Sequence, residues 1–410
     1  MIQALRGMND MMDDEAKLYK KIIDVCEDTA KKYGYEYIEI PKLEETALFK
    51  RSVGESSDIV GKEMYQFTDK SGNDVCLRPE GTAGVVRAFI EHKMDRAGGV
   101  KKYFYHGSMF RYERPQKGRL REFHQFGIEC FSEGSVYEDA SVILMLSEIL
   151  KKLDIEATLK INSLGDGDCM PKYREKLLKF LKENENELCS DCKRRISTNP
   201  IRVLDCKVEH CQKILQNAPL ITENLNEICA GEFSKLQEIL TANGVTFEVD
   251  PKLVRGLDYY TKTAFEFVSG EIGSQSAVGG GGRYDNLVAF LGGRPTFGVG
   301  FALGIERFME ILSSKESKQK RVGIYICALD KKYIDKIFKI GIDLRRNFKV
   351  EISYEAKNLQ KHLKNADNKN AEIFLCMGEN EAKNDELFMK NLIAKTNKNI
   401  KIAEILKEIR

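Results

Sequence analysis

Residues 103–131, YFYHGSMFRYERPQKGRLREFHQFGIECF, predict a long β-hairpin whose strands meet at the polar turn RPQKGRLR. Successive side chains of a strand point to opposite faces of a sheet. Gln125, Gly127 and Glu129 therefore share one face of the second strand. The other face is apolar and carries Phe126, Ile128 and Cys130. We expect the apolar face to pack on a core and the polar face to form the floor of a site for a small polar ligand.

The first strand and the turn add groups that suit a phosphorylated ligand. Arg111 and Glu113 are two residues apart, so we expect them to share a face of the first strand. The turn adds the cations Arg114, Lys117, Arg119 and Arg121. Arginine presents a planar fork of donors that matches phosphate oxygens, and Gly127 leaves space above the sheet. A solvated hairpin with a charged tip is the alternative, but it does not explain an inward-facing glutamine and glutamate.

Outward from the hairpin, helices alternate with short strands. Apolar side chains at helical spacing predict helices at residues 13–33 and 138–153. Another helix is predicted after the segment RPEGTA. Further strands are predicted at residues 35–40, 64–68, 74–77, 157–165, 245–250 and 263–270. The mixture of strands and helices indicates an α+β region.

Two changes of composition divide the rest of the chain. Residues 166–233 are charged, helical and rich in cysteine, which indicates an insertion between residues 1–165 and 234–314. Residues 315–320 form a polar linker. From residue 321 to residue 410, strands alternate with helices, which predicts an α/β domain.

Bulk composition sets broad limits. The 410 residues favour two to four domains. The net charge of +2 is not a nucleic-acid signature by itself, so an RNA partner would have to meet local basic patches. Because the sequence has no bilayer-length apolar run and its first residues lack a signal-peptide core, we expect a cytoplasmic protein. The 11 cysteines are odd in number, which favours thiols or a metal site over a disulfide framework.

Five motifs together resemble the histidyl-tRNA synthetases, a family of class II aminoacyl-tRNA synthetases. FRYERPQKGRLREFHQFGIE (110–129) is similar to motif 2, and GVGFALGIERF (298–308) to the start of motif 3. LVRGLDYYT (253–261) and SAVGGGGRYD (276–285) resemble the two histidine-specific signatures. RPEGTA (78–83) also matches.

The resemblance implies an antiparallel catalytic sheet of six or seven strands flanked by helices, a mostly helical insertion, and a C-terminal α/β anticodon-binding domain. It implies activation of L-histidine with ATP and Mg²⁺, followed by transfer to tRNA(His), with positioning and charge stabilisation as the main catalytic effects. Residues 13–41 resemble motif 1, which implies a homodimer. The lysine-rich C-terminal domain would meet the tRNA, although a solvated surface has the same composition.

The resemblance also assigns residue roles. Arg111 and Arg255 would act on the α-phosphate from opposite sides. The implied ATP-binding residues are Arg111, Glu113, Arg119, Phe123 and Arg307. The implied histidine-binding residues are Glu80, Gly81, Thr82, Gln125, Glu129, Tyr259, Tyr260 and Tyr284. Three alternatives stay open: Arg255 paired with Asp258 for structure, Arg307 as a solvated helix residue, and the tetraglycine Gly279–Gly282 as a flexible loop.

The insertion contains CSDC and DCKVEHC, which place Cys189, Cys192, Cys206 and Cys211 as two pairs. Two such pairs are compatible with a tetrahedral zinc site, although the second pair has a loose spacing. The resemblance does not require zinc, and the sequence favours four reduced thiols in a helical insertion. Residues 193–195, KRR, and Arg202 suggest a contact with the tRNA acceptor arm.

Two rival functions are weaker. A regulatory paralogue of this family binds histidine without catalysis, but it lacks the C-terminal domain and the catalytic arginines. Here Arg111, Arg255 and Arg307 are all present. A synthetase for proline or threonine does not fit RGLDYY and GGGGRYD.

Overall fold

The computed structural model describes residues 1–54, 59–116, 118–255, 259–275, 277–315 and 321–409. The chain forms two compact units, Met1–Lys315 and Glu316–Arg410. Lys117, Asp258 and residues 316–320 of the predicted linker lie outside the described residues. Among the helices of the described ranges, none is both long and apolar enough to cross a bilayer.

The first unit contains eleven strands and ten α-helices within the described residues. The strands are β1 (Glu36–Tyr37), β2 (Leu43–Glu45), β3 (Gln66–Thr68), β4 (Asp74–Leu77), β5 (Lys101–Phe110), β6 (Glu122–Ser132), β7 (Thr158–Ser163), β8 (Phe247–Val249), β9 (Thr261–Val268), β10 (Ala277–Arg283) and β11 (Phe297–Gly304). The helices are α1 (Asp13–Lys32), α2 (Thr46–Val53), α3 (Thr82–Glu91), α4 (Val136–Lys152), α5 (Cys169–Glu183), α6 (Ser190–Thr198), α7 (Glu209–Leu215), α8 (Glu227–Ala242), α9 (Leu287–Phe290) and α10 (Ile305–Lys315).

A large sheet has the strand order β1-β5-β6-β11-β10-β9-β7-β8. The six strands from β5 to β7 in this order pair antiparallel, as predicted. The two edge strands pair parallel to their neighbours, so the prediction of a purely antiparallel sheet was wrong. Parallel neighbours need a long crossover connection, and the segments between β1 and β5 and between β7 and β8 supply it. A small sheet, β2-β4-β3, lies beside the start of α3.

The predicted hairpin is confirmed as β5 and β6, and its apolar face lies in the main core. Phe126, Ile128 and Cys130 are buried there with side chains of α1, α4 and α10. Each fully buried large apolar side chain stabilises the fold by about 1.5–3 kcal/mol. Helix α4 begins at a capping box in which Ser135 and Glu138 satisfy exposed N–H groups. This packing leaves the polar face of β6 on the opposite side of the sheet.

The insertion has a core of its own. Side chains of α5, α6 and α7 pack around Tyr173, Leu177 and Val203. Helix α8 instead joins the main core through Leu236 and Leu240.

The second unit is the predicted α/β domain. Its strands are β12 (Ile324–Ala328), β13 (Val350–Ile352), β14 (Ile373–Met377), β15 (Glu386–Asn391) and β16 (Asn397–Lys401). Its helices are α11 (Ile334–Leu344), α12 (Leu359–Asn368), α13 (Glu379–Lys383) and α14 (Ile405–Glu408). The sheet order is β13-β12-β14-β15-β16, with the first three strands parallel and the last two antiparallel.

Candidate active site

A cavity of about 260 Å³ lies against the polar face of β6 and the strands β10 and β11. The predicted site side chains that line it are Glu80, Thr82, Arg111, Glu113, Arg119, Phe123, Gln125, Glu129, Arg255, Tyr259, Tyr260, Tyr284 and Arg307. These residues come from distant parts of the chain, and the sheet brings them together. The cavity has two chemically different groups of residues, one of arginines and one of buried carboxylates.

The first arginine follows the hairpin strand instead of lying on it. Strand β5 ends at Phe110, so the prediction that Arg111 and Glu113 share a face of that strand was wrong. The Glu113 amide donates to the Arg111 carbonyl at 2.8 Å, and this tight turn leaves the strand ladder. Both side chains still reach the cavity. The Arg111 guanidinium lies 5.2 Å from the centre of the Phe123 ring, and its Nε donates to the Pro79 carbonyl at 3.0 Å.

The turn and motif 3 add two more cations. Arg119 pairs with Glu113 at 3.0 Å. Arg307 is half-buried and its Nη1 donates to the Ala277 carbonyl. Burial and the nearby Arg119 and Arg111 lower the pKa of the Arg307 guanidinium. Arg307 therefore faces the cavity, and the solvated alternative was wrong.

Arg255 has a partner that the sequence did not suggest. Its Nη1 donates to Glu266 at 2.5 Å, and its guanidinium lies 5.9 Å from the Tyr260 ring. Nε of Arg255 is also buried, and no hydrogen-bond acceptor for it lies among the described residues. Glu266 lies between the buried Phe265 and Phe267 on β9. A lone carboxylate between two phenylalanines is the sequence feature that could have identified this partner of Arg255. A phosphate oxygen could accept the hydrogen bond that this Nε offers.

Two carboxylates define the other group. Glu80 accepts from the amides of Thr82 at 2.7 Å and Ala83 at 2.9 Å, at the N-terminus of α3. Burial raises the pKa of Glu80 in spite of these hydrogen bonds. Glu129 accepts from the hydroxyls of Tyr105 and Tyr284. Burial raises the pKa of Glu129 from its ordinary 4.5 to about 8, so this carboxyl is poised to exchange a proton near neutral pH.

Gly127 makes room for a protein side chain and not for a ligand, contrary to prediction. A Cβ at Gly127 would lie 2.4 Å from the Tyr105 ring, which crosses from the neighbouring strand. A Cβ at Gly81 would lie 2.1 Å from the same ring. Tyr105 thus fits between two glycines and reaches Glu129, a contact that the sequence analysis missed. In the pairing of β5 with β6, Tyr105 lies opposite Gly127. This pairing could have identified the contact between Tyr105 and Glu129.

The tetraglycine lies inside strand β10, so the flexible-loop alternative was wrong. A Cβ at Gly280 would lie 2.9 Å from Nη1 of Arg255. The absence of a side chain there lets the arginine approach the sheet. The rings of Tyr259 and Tyr260 lie 4.7 Å apart and Tyr259 is 5.8 Å from Tyr284, which gives an aromatic wall.

The insertion contributes to this site through one of its predicted cations. Arg202 Nη1 donates to the Arg255 carbonyl at 2.9 Å, and Arg195 Nη1 donates to the Arg202 carbonyl at 3.2 Å. Lys193 and Arg194 are exposed. The structure also brings together the thiols of the four cysteines predicted as a possible metal site, Cys189, Cys192, Cys206 and Cys211.

Comparison with known proteins gives a consistent result. The family model described as histidyl-tRNA synthetase matches residues 7–308, and that of an anticodon binding domain matches residues 323–410. A histidine–tRNA ligase of Campylobacter fetus subsp. fetus is 71% identical over 409 residues and one of Campylobacter concisus is 68% identical, each covering 100% of both chains. The crystal structure of an apo S. aureus histidyl-tRNA synthetase has a TM-score of 0.83 at 32% identity, covering 100% of this chain and 99% of that one.

Proposed function

Because this chain belongs to the histidyl-tRNA synthetase family, we propose how its own residues divide the work of its reaction. The chain activates histidine with ATP to histidyl-adenylate and pyrophosphate, and then transfers histidine to the 3′ end of tRNA(His). In the first step the histidine carboxylate attacks the α-phosphorus of ATP and pyrophosphate leaves. This division of roles is supported by one observation: arginines and buried carboxylates line the same cavity.

The arginine group binds ATP, and an accompanying Mg²⁺ would offset the negative charge of its phosphates. Phe123 stacks on the adenine, and Glu113 accepts from the adenine amino group. Arg119 reaches the terminal phosphates and Arg307 holds the nucleotide. The lowered pKa of the Arg307 guanidinium reflects burial among like charges, and a bound polyphosphate relieves that repulsion.

Arg111 and Arg255 stabilise the charge that develops on the α-phosphate. Arg111 is held by the Pro79 carbonyl, and Arg255 is held by Glu266. Fixed donors need no reorganisation during the reaction, which is why such groups lower its barrier. Glu266 acts as a positioning residue for Arg255. The buried Nε of Arg255 supports a ligand oxygen as its remaining acceptor.

The carboxylate group binds histidine. Glu80 meets the α-ammonium, with Thr82 and Gln125 assisting, and Glu129 meets the imidazole. Tyr259, Tyr260 and Tyr284 line the ring, and Gly81 lets Tyr105 approach. A carboxyl whose pKa is about 8 can share a proton with an imidazole, whose ordinary pKa is about 6.5. This proton sharing distinguishes histidine from amino acids with apolar side chains of similar size.

The second unit binds the anticodon region of tRNA(His), and the protein acts in the cytoplasm.

The protein is a homodimer through residues 13–41. The support is the sheet edge formed by the two-residue strand β1, on which Tyr37 is 47% exposed. A partner that covers this edge would satisfy its open backbone groups. Sedimentation at micromolar concentration should give twice the chain mass, and a monomer would exclude this arrangement.

The test of function is ATP–pyrophosphate exchange with each of the twenty amino acids in turn. We expect exchange with histidine alone. Histidine binding without exchange would instead support a regulatory role, and exchange with another amino acid would overturn the assignment of Glu129. Arg255→Ala should lose exchange while histidine binding, measured by calorimetry, persists.

A further inference from the structure

Four thiols of the insertion lie at the spacing of a metal site. The Sγ atoms of Cys189, Cys192, Cys206 and Cys211 all lie within 4.8 Å of one another. Cys189 Sγ and Cys206 Sγ are 3.9 Å apart. Four sulfurs around one tetrahedral zinc, at about 2.3 Å each, are about 3.8 Å from one another. A disulfide needs sulfurs about 2.05 Å apart, so the cluster fits a shared ion better than pairwise bonds.

Separate elements converge to build the cluster. Cys189 precedes α6 and Cys192 lies in its first turn, whereas Cys206 and Cys211 frame the start of α7. The Cys189 amide donates to Cys211 Sγ at 3.2 Å. This hydrogen bond joins the first pair of cysteines to the second. The chain between the two pairs returns on itself, as it must if both pairs are to reach one ion.

The cluster is enclosed by the separate core of the insertion. Cys192 and Cys211 are fully buried and Cys206 is 6% exposed, beside Leu188, Ile196 and Val203. His210, next to Cys211 in sequence, is exposed. Four thiols at this spacing are more than packing requires, because the other buried side chains of this core are mostly leucine, isoleucine and valine. Small cores commonly gain stability from a structural metal.

A nearby group of Asp166, Cys169 and Cys229 provides a contrast. These three side chains are also close enough to share an ion. Their contacts are already explained, since Asp166 accepts from the amides of Asp168 and Cys169 and from the Asn226 side chain. Asn226 in turn caps α8 by accepting from the Cys229 amide. This group is a hydrogen-bonded anchor at the base of the insertion.

We infer that Cys189, Cys192, Cys206 and Cys211 bind one zinc ion as four thiolates and that this ion holds the insertion together. Four sulfur ligands in a tetrahedron select zinc or iron among the common cellular metals. A closed set of four protein ligands is typical of a structural ion and leaves no position for a substrate. The geometry therefore reverses the preference for reduced thiols drawn from the sequence.

The test uses the full chain purified without added metal. We expect about one equivalent of zinc by mass spectrometry, and a zinc K-edge spectrum with four sulfurs at about 2.3 Å. Cys206→Ser should lose most of the zinc. Cys229→Ser, a buried thiol of the contrasting group, should keep it. Replacement of zinc by Co²⁺ should give the visible bands of a tetrahedral tetrathiolate, which report the ligands even if a cysteine variant folds poorly.

Four outcomes overturn the inference. Less than about half an equivalent of zinc in the wild-type protein means that the thiols are simply reduced. Stoichiometric iron means that the metal is wrong, and equal loss of zinc from Cys206→Ser and Cys229→Ser means that the site is wrong. A disulfide found by mapping peptides from the freshly purified protein would also exclude the site.

Discussion

Glu129→Gln removes one buried negative charge from the cavity and keeps the shape of the side chain. Burial raises the pKa of Glu129 from 4.5 to about 8. Above pH 8 the folded protein therefore carries an ionised carboxylate at a cost of about 5 kcal/mol, at about 1.4 kcal/mol per pH unit. In the unfolded chain this group ionises near pH 4.5, so the cost is absent below that pH and grows until pH 8. Glutamine removes the cost but loses about 1–2 kcal/mol of hydrogen bonding with Tyr105 and Tyr284.

The net expectation is that the variant is more stable than the wild type by about 3 kcal/mol at pH 9, or about 5 °C in Tm for a unit of this size. At pH 5 it should be no more stable than the wild type. Scanning calorimetry between pH 5 and 9 measures this, with the exposed Glu187→Gln as the control. A difference in Tm that does not change with pH would refute the account of Glu129.

The same variant should lose most of its activity in histidine-dependent pyrophosphate exchange. A hydrogen bond between a buried neutral group and a charged partner is worth up to about 3 kcal/mol. Histidine-dependent pyrophosphate exchange is therefore expected to fall about 100-fold, measured as kcat/KM for histidine. Greater stability with lower activity would be a direct sign that Glu129 is retained for binding.

Three other changes test the remaining parts of the structure. Arg255→Lys should lower kcat for exchange about 100-fold with little change in the KM for histidine, because lysine cannot hold Glu266 and a phosphate oxygen together. Gly127→Ala should destabilise the protein by about 1–3 kcal/mol and raise the KM for histidine, since the new methyl group displaces Tyr105; thermal unfolding and kinetics report both effects. Removal of residues 316–410 should raise the KM for tRNA while exchange persists, because the first unit contains the whole cavity, and loss of exchange in a folded truncation would refute this division.

The hairpin was predictable because its information is local. Alternation along β6 separates an apolar face from a polar one, and in the fold the first face lies in the main core while the second lines the cavity. Helix α1 was predictable from its apolar spacing for the same reason. Strands were also predicted where β1 and β8 lie, but their parallel pairing was not, since these strands have only two and three residues and owe their direction to distant crossovers. Their pairing is a property of the whole sheet.

The side chains of the site were predictable as a set, but many of their contacts were not. Motifs identify Arg255 and Glu129 without saying what holds them. Glu266 of β9 holds Arg255, which lies in the segment before that strand, and Tyr105 of β5 holds Glu129 of the neighbouring strand β6. Gly127 was assigned to a ligand because its open space is visible in the sequence, whereas the ring that fills this space is not. Packing across strands is the information that one strand lacks.

Buried polar groups without partners in the free protein carry a free-energy cost. On the proposed roles, this cost explains how one cavity can select histidine by binding alone. Among the contacts of the described residues, Arg255 Nε and Gln125 Oε1 are buried without partners, and Glu129 is held at a raised pKa. Each unsatisfied group costs about 1–3 kcal/mol. On the proposed roles, ATP and histidine would recover these costs, because phosphate oxygens would accept from Arg255 and an imidazole would share a proton with Glu129. An amino acid without a proton-binding ring would offer Glu129 no proton-sharing partner beyond the hydroxyls of Tyr105 and Tyr284, and this would penalise its binding.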